Sequence, residues 1–272
     1  MKKINEIVKT DETDLKITPE LEAQWFNEDV GELNLDDGID CPICKNKGKV
    51  AYVEDKYMLI KNCECMKARI TFNRLRNCGI TKSVLEHLSF KNWQTTEKWQ
   101  KDLKKICIDF FNDIKNGNNY WFIISGQTGG GKTFLCTALF QELIKQLYKT
   151  GLYMLWNNDI PKLISLRKSS FIDNQEKYDE LIKKYKDIDI LYIDDLFKLD
   201  ARYKDDGLSL CYEILNHRYI NGKITIISTE TERNDFEKID EALWGRCLEM
   251  TKQSDYWLTI TGVEKNYRNK GE

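Results

Sequence analysis

No apolar run in this chain approaches the roughly 18 residues that a membrane-crossing helix needs, so no membrane span is expected. The opening residues Met1-Lys2-Lys3-Ile4-Asn5-Glu6 run into acids and lack the apolar stretch that directs secretion, which predicts a cytoplasmic protein. Internal repeats and low-complexity tracts are missing as well. A disulfide framework is not expected: nine cysteines is an odd count, and five of them sit singly in helix- or strand-like patterns, as suits a reducing compartment. What is present, 41% hydrophobic and 32% charged residues over 272 positions, describes a globular chain somewhat richer in charge than most. That length holds one large domain, or a core domain with a small appendage.

Net charge is almost absent, at −2, but it is unevenly spread. Residues 1–40 carry twelve acids against four lysines, so this arm is acidic and the remainder mildly basic. Such asymmetry fits two different partners or simply solvated charge. Within the arm, Thr18 and Pro19 are expected to start a short amphipathic helix ending near Asp29.

The stretch that organises the chain is Gly126-Gln127-Thr128-Gly129-Gly130-Gly131-Lys132-Thr133. It follows the apolar run Tyr120–Ser125 and precedes Phe134–Phe140, so a strand feeds a glycine loop and then a helix, the context a phosphate-binding loop requires. Gly126, Gly129, Gly130 and Gly131, with Thr128, let backbone N–H groups turn inward around phosphates, and the helix N-terminus adds its positive dipole end. Lys132 is expected on the β- and γ-phosphates of ATP and Thr133 on Mg²⁺.

Upstream, Cys41-Pro42-Ile43-Cys44 and Cys63-Glu64-Cys65 flank a probable β-hairpin. Four thiolates so spaced can close a tetrahedral Zn²⁺ shell, a structural site with no open position. A hairpin this small buries too little apolar surface to hold itself, so the metal would supply folding energy. The second knuckle is tighter than usual, which leaves Cys78 as a substitute ligand. From Met66 to Lys105 basic residues predominate, with Phe72, Phe90 and Trp93 among them. The run suits either a nucleic-acid backbone or the wet faces of helices.

From Tyr120 onward strand and helix patterns alternate, which predicts a parallel sheet flanked by helices. Strands are expected at 120–125, 152–156, 188–193, 224–228 and 257–260. The third ends in Asp194-Asp195 and is expected beside the loop strand, with Asp194 holding the Mg²⁺ shell and Asp195 polarising the attacking water. The fourth ends in Ser228 and Thr229, candidates for sensing the γ-phosphate. Beyond it, Arg246 stands where a subunit would offer an arginine finger to its neighbour's nucleotide.

Taken together, the cysteine knuckles, Cys78-Gly79-Ile80, the phosphate loop, the Asp-Asp strand, Asn216-His217-Arg218-Tyr219, Ile226–Glu230 and Gly245-Arg246 resemble bacterial and phage helicase loaders of the DnaC/DnaI type within the AAA+ class, with IstB-type transposase helpers as relatives. The resemblance spans residues 40–268. It implies an α/β AAA+ P-loop core at 81–272, preceded by the acidic arm at 1–40 and a small zinc-binding domain with a basic helix at 41–80. It also implies a replicative helicase gripped by the zinc region, single-stranded DNA bound by the AAA+ body, and oligomers formed with nucleotide. Arg246 matches the family's finger, and Asn266-Tyr267-Arg268 resembles the tail segment where a second sensor, Arg268, lies. Glu230 departs from the family, whose members often carry Asn there. A transposition helper, or a nucleotide-gated binding module with negligible turnover, are the other functions these residues allow.

Overall fold

The computed structural model describes residues 17–262 together with 265 and 266. The start of the acidic arm and Arg268 lie outside the described residues. The chain divides into two compact units, residues 1–72 and 73–272.

In the first unit, α1 (Pro19–Glu28) begins where the sequence places it: the Thr18 hydroxyl accepts from the Leu21 N–H at 3.3 Å and Pro19 fills the first turn. A short α2 (Leu33–Asp37) follows, then β1 (Lys49–Glu54) and β2 (Tyr57–Asn62), paired antiparallel. Asp55 and Lys56 join the strands with φ of +50° and +65°, a two-residue turn whose twist suits the hairpin. The outer edge of β1 is closed by a side chain. Asn27 donates to the Ala51 carbonyl at 2.8 Å and accepts from its N–H at 2.9 Å, standing in for a neighbouring strand.

The helix α3 (Cys65–Arg76) carries Arg69 inward. Its guanidinium pairs with Asp37 at 2.6 and 2.8 Å and donates to the Ile39 carbonyl at 2.7 Å and Asn46 Oδ1 at 3.0 Å. Asp37 and Ile39 are thereby built into the cysteine-bearing unit, and the division between the two units falls inside α3. Arg69, only 2% exposed, is an internal anchor and no part of a basic surface.

The second unit opens with α4 (Lys82–His87) and α5 (Lys98–Lys115) and then alternates: β3 (Trp121–Gly126), α6 (Lys132–Leu147), β4 (Gly151–Leu155), α7 (Trp156–Arg167), α8 (Ile172–Asp187), β5 (Ile190–Leu196), α9 (Lys204–Ile220), β6 (Ile224–Thr229), α10 (Arg233–Ile239), α11 (Glu241–Met250) and β7 (Trp257–Ile260). The five strands form one parallel sheet in the order β4-β5-β6-β3-β7. Both faces are apolar, as a sheet covered on two sides demands. Phe122, Ile124, Tyr192 and Ile226 face a core shared with Phe110 of α5 and Leu135 and Leu139 of α6. Trp121, Ile123, Leu191, Ile193 and Ile227 face the opposite core, with Trp156, Ile160, Leu210, Ile214 and Phe236.

Two expectations are corrected. The Asp-Asp strand β5 is not beside the loop strand β3, because β6 lies between them. Trp156 starts a helix instead of ending a strand: the Asp159 carboxylate accepts from the Leu155 N–H at 2.9 Å and caps α7.

Candidate active site and metal centre

β3 delivers the chain to Gly126 at φ +119°, where a Cβ would lie 2.1 Å from the Ile260 carbonyl oxygen, so no other residue fits. The loop turns and Gly131, at φ +81°, opens α6. Lys132 folds back, its ammonium donating to the Gly126 and Gln127 carbonyls, both at 2.8 Å. Burial pulls its pKa below the ordinary lysine value.

Across β6, Asp194 collects donors: Thr133 at 3.1 Å, Tyr153 at 3.1 Å, Tyr192 at 2.8 Å and the Ser228 hydroxyl. Burial, with Asp194 adjacent, pushes both tyrosines far above their usual pKa, so they stay neutral donors. The intervening β6 is thus the bridge: Ser228 ties the acid strand to the strand that neighbours the loop. The β5–β6 register breaks between Ile193 and Leu196, and Asp195 sits at φ +56° within that bulge. Its N–H donates to Ser228 Oγ at 3.1 Å, and its carboxylate lies 3.5 Å from the Lys198 ammonium.

These residues frame a cavity of about 480 Å³, a size suited to a small-molecule ligand. Thr128, Gly129, Gly131, Lys132, Thr133 and Asp195 line one part of it. His87, Asn92, Trp93, Gln94 and Phe134 line another, with the Trp93 and Phe134 ring centroids 5.3 Å apart. Sequence reading set Trp93 with the basic run and Phe134 after the phosphate loop, and missed His87, Asn92 and Gln94, since α4 and the loop after it carry no phosphate-loop signal. Lys198 and Glu230 complete the lining, their side chains paired at 2.8 Å.

Ser228 is engaged by Asp194 and Asp195. Thr229 donates to the Leu196 carbonyl at 2.8 Å and accepts from the Thr231 N–H, away from the cavity. Glu230, the residue that departs from the family pattern, is the one from this strand end that lines the cavity. Arg246 is not brought to the cavity either. It lies against Tyr212 and Tyr219 of α9, donating to the Ala242 carbonyl at 2.9 Å and the Tyr212 hydroxyl at 3.2 Å. Arg218 is fully buried, its guanidinium donating to the carbonyls of Tyr185, Lys186, Ile188 and Ile224 and to Thr225. Burial draws its pKa down to about 9.

In the first unit the sulfurs of Cys41, Cys44, Cys63 and Cys65 lie within 4.8 Å of one another. Cys41–Cys63 and Cys44–Cys65 are 3.8 and 3.5 Å apart, and a tetrahedral zinc with Zn–S near 2.3 Å needs edges of about 3.8 Å. The donor set fits that ion. The short second knuckle has a local cause: Cys63 ends the hairpin, its N–H on the Gly48 carbonyl at 2.8 Å, while Cys65 is the first residue of α3. The Gly48 N–H also donates to Cys44 Sγ at 3.3 Å. A hydrogen bond from the Cys44 backbone brings the Cys41 thiol down to about 7, whereas burial lifts Cys65 to about 12. Cys78 is not among these sulfurs; it is buried in the α/β core of the second unit.

The bacterial DnaA ATPase domain family matches residues 101–250. The phage-like element PBSX protein XkdC of Bacillus subtilis (strain 168) is 31% identical over 242 residues, covering 85% of this chain and 87% of its own length. Among solved structures, the DnaC helicase loader superposes with a TM-score of 0.55 at 18% identity, over 66% of this chain and 100% of that one. Replication initiator DnaA bound to AMPPCP and single-stranded DNA superposes with a TM-score of 0.52 at 18% identity, over 66% of this chain and 51% of that one. These two likenesses show the AAA+ fold.

Proposed function

The chain belongs to the family of the bacterial DnaA ATPase domain, and from that premise we propose that it is an ATP-dependent loader of a replicative helicase, acting in the cytoplasm. ATP would sit in the cavity with its phosphates on the loop amides and Lys132, and its base toward Trp93 and Phe134. Thr133 and Asp194 would hold Mg²⁺, which when bound screens phosphate charge and orients the β- and γ-oxygens. Asp195 would orient a water for in-line attack. A bond forms from the water oxygen to the γ-phosphorus as the bond to the bridging oxygen breaks, and the water's proton passes to the carboxylate, giving ADP and phosphate.

The observation that carries the ATPase assignment is the Thr133–Asp194 hydrogen bond, which joins the two halves of a phosphate-metal site across β6. Among the described residues no helix is long and apolar enough to cross a membrane. The loader function is supported by the DnaC-like fold and by the four-cysteine unit preceding the AAA+ body, which transposition helpers typically lack. The first unit would grip the helicase, the second would bind single-stranded DNA, and subunits would assemble when nucleotide is bound. One feature favours a slower, nucleotide-gated role: Asp195 is already paired with Lys198.

Co-purification of the full chain with the replicative helicase of its source, in ATP and in ADP, tests the proposal. ATP-dependent capture of the helicase is expected. Capture of a transposase on duplex DNA without helicase would establish the transposition helper instead. Steady-state hydrolysis with and without single-stranded DNA separates an ATPase from a gated binding module.

A further inference from the structure

We propose that Lys198 is a second phosphate cation of the ATP site, held by Asp195 and Glu230 until a terminal phosphate takes the place of Asp195. The inference rests on ATP being the ligand of the cavity, as argued above.

The turn after β5 sets the geometry. The Lys198 N–H donates to the Asp195 carbonyl at 3.0 Å, and both Asp195 and Phe197 have positive φ, +56° and +68°. Phe197 is drawn into the core, its ring 5.0 Å from that of Phe236 and 6.3 Å from that of Trp156. With Phe197 anchored there, Lys198 is turned to the cavity, whose wall it forms together with Lys132 and Thr133. Its ammonium lies 2.8 Å from Glu230 Oε1 and 3.5 Å from Asp195 Oδ2, and its side chain is 45% exposed, so it is free to swing.

The charges give the site its logic. Two carboxylates facing an incoming polyphosphate oppose its binding, and one ammonium between them offsets that opposition. A lysine carries three donors on a flexible stem, so it can keep Glu230 and give another hydrogen bond to a γ-phosphate oxygen. Moving from Asp195 to the phosphate frees that carboxylate to accept the proton of the attacking water. Lys198 makes and breaks no covalent bond in the step; it only follows the charge. ADP has no γ-phosphate, so with ADP the ammonium stays on Asp195 and the acid stays masked. The same residue thus distinguishes ATP from ADP and couples that distinction to hydrolysis.

Calorimetric titration of the full chain with Mg²⁺ and either AMPPNP or ADP tests this. Lys198→Ala should weaken AMPPNP by about tenfold more than it weakens ADP, the worth of one charge-assisted hydrogen bond to the γ-phosphate. Lys198→Arg should restore the preference for AMPPNP, and Glu230→Gln should strengthen it by removing an opposing charge. Equal losses for both nucleotides in Lys198→Ala, or no loss for either, would overturn the assignment and leave Lys198 a surface ion pair. A parent protein that binds neither nucleotide would instead overturn the ATP assignment itself, an outcome read before any Lys198 variant is compared.

Discussion

The Thr133 hydroxyl on α6 donates to the Asp194 carboxylate on β5 at 3.1 Å, joining residues 61 positions apart on a helix and a strand that pack together, although β6 separates β5 from the loop strand β3. The same carboxylate is aimed by Tyr153, Tyr192 and Ser228, so it is oriented before any ligand arrives. Thr133→Ala and Asp194→Asn should therefore each cost about tenfold in nucleotide affinity when Mg²⁺ is present and little when it is chelated. Lys132→Ala should weaken binding under both conditions, because its ammonium, now on the Gly126 and Gln127 carbonyls, would pass to the phosphates. Titrations with and without EDTA read the difference. An unchanged affinity for Lys132→Ala in both buffers would remove the cavity from consideration as a phosphate site.

The four-cysteine cluster makes a prediction about composition and about folding. One zinc per chain is expected by elemental analysis, and it should be lost in a Cys41→Ser/Cys44→Ser variant. Removing the ion should unfold the first unit, whose small hairpin would rely on the metal, while the second keeps its two apolar cores. Chelation should then abolish helicase capture with nucleotide binding retained. Full zinc content in the double variant would point to ligands elsewhere in the chain.

A third prediction concerns pH. The Asp113 carboxylate accepts from the Tyr256 hydroxyl at 2.6 Å and from Lys252 at 2.9 Å, tying α5 to the approach to β7. Those donors, Tyr256 foremost, hold its pKa below the ordinary value of 3.8. A carboxylate with a depressed folded pKa contributes stability that is fully present above the unfolded value and is lost as pH falls through the folded one. Asp113→Asn should accordingly lower stability by about 1 kcal/mol at pH 7. The gap between parent and variant should close on acidification below the ordinary aspartate range. Urea midpoints at neutral and acid pH measure it, and an equal gap at both would mean that the charge contributes nothing.

Much of the α/β unit was legible because its signals are local. An apolar strand, a glycine loop and a helix in series leave one reading, and strand β7 was placed at Trp257–Ile260, where it lies. Strand order was not legible: nothing in residues 188–193 says whether β5 or β6 neighbours β3, since every central strand is apolar on both faces. The stripe Leu103, Cys107, Phe110 and Ile114 is helical in period and marks α5, but the lysines between these residues drew attention to charge instead. Arg69 and Arg218 show the reverse limit. Arg69 falls in the basic run from Met66 and Arg218 in the segment Asn216–Tyr219, yet both are buried against carboxylate or carbonyl oxygens that only the fold brings together.

Arg246 gives the last prediction, which asks whether the proposed hydrolysis needs one subunit or an assembly. Within its own subunit the guanidinium rests on Tyr212 and Tyr219, outside the cavity lining. Arg218 is held on buried carbonyls and does not line the cavity. Lys198 supplies one cation in cis, but a lysine acting as a point charge lacks the planar fork that spans two phosphate oxygens. An arginine offered to a neighbouring subunit is the role the resemblance implies for Arg246, which is half-buried on an outer helix, stacked but not ion-paired among the described residues. Arg246→Ala should bind ATP like the parent and hydrolyse it on the order of 10³-fold more slowly, the loss typical of a missing finger. Mixing Arg246→Ala with Asp195→Asn subunits should restore part of the activity, because some interfaces then pair an intact Asp195 with an intact Arg246. Subunits that co-assemble yet stay inactive would exclude action in trans, and a fully active Arg246→Ala would leave the residue as a clasp between α11 and α9.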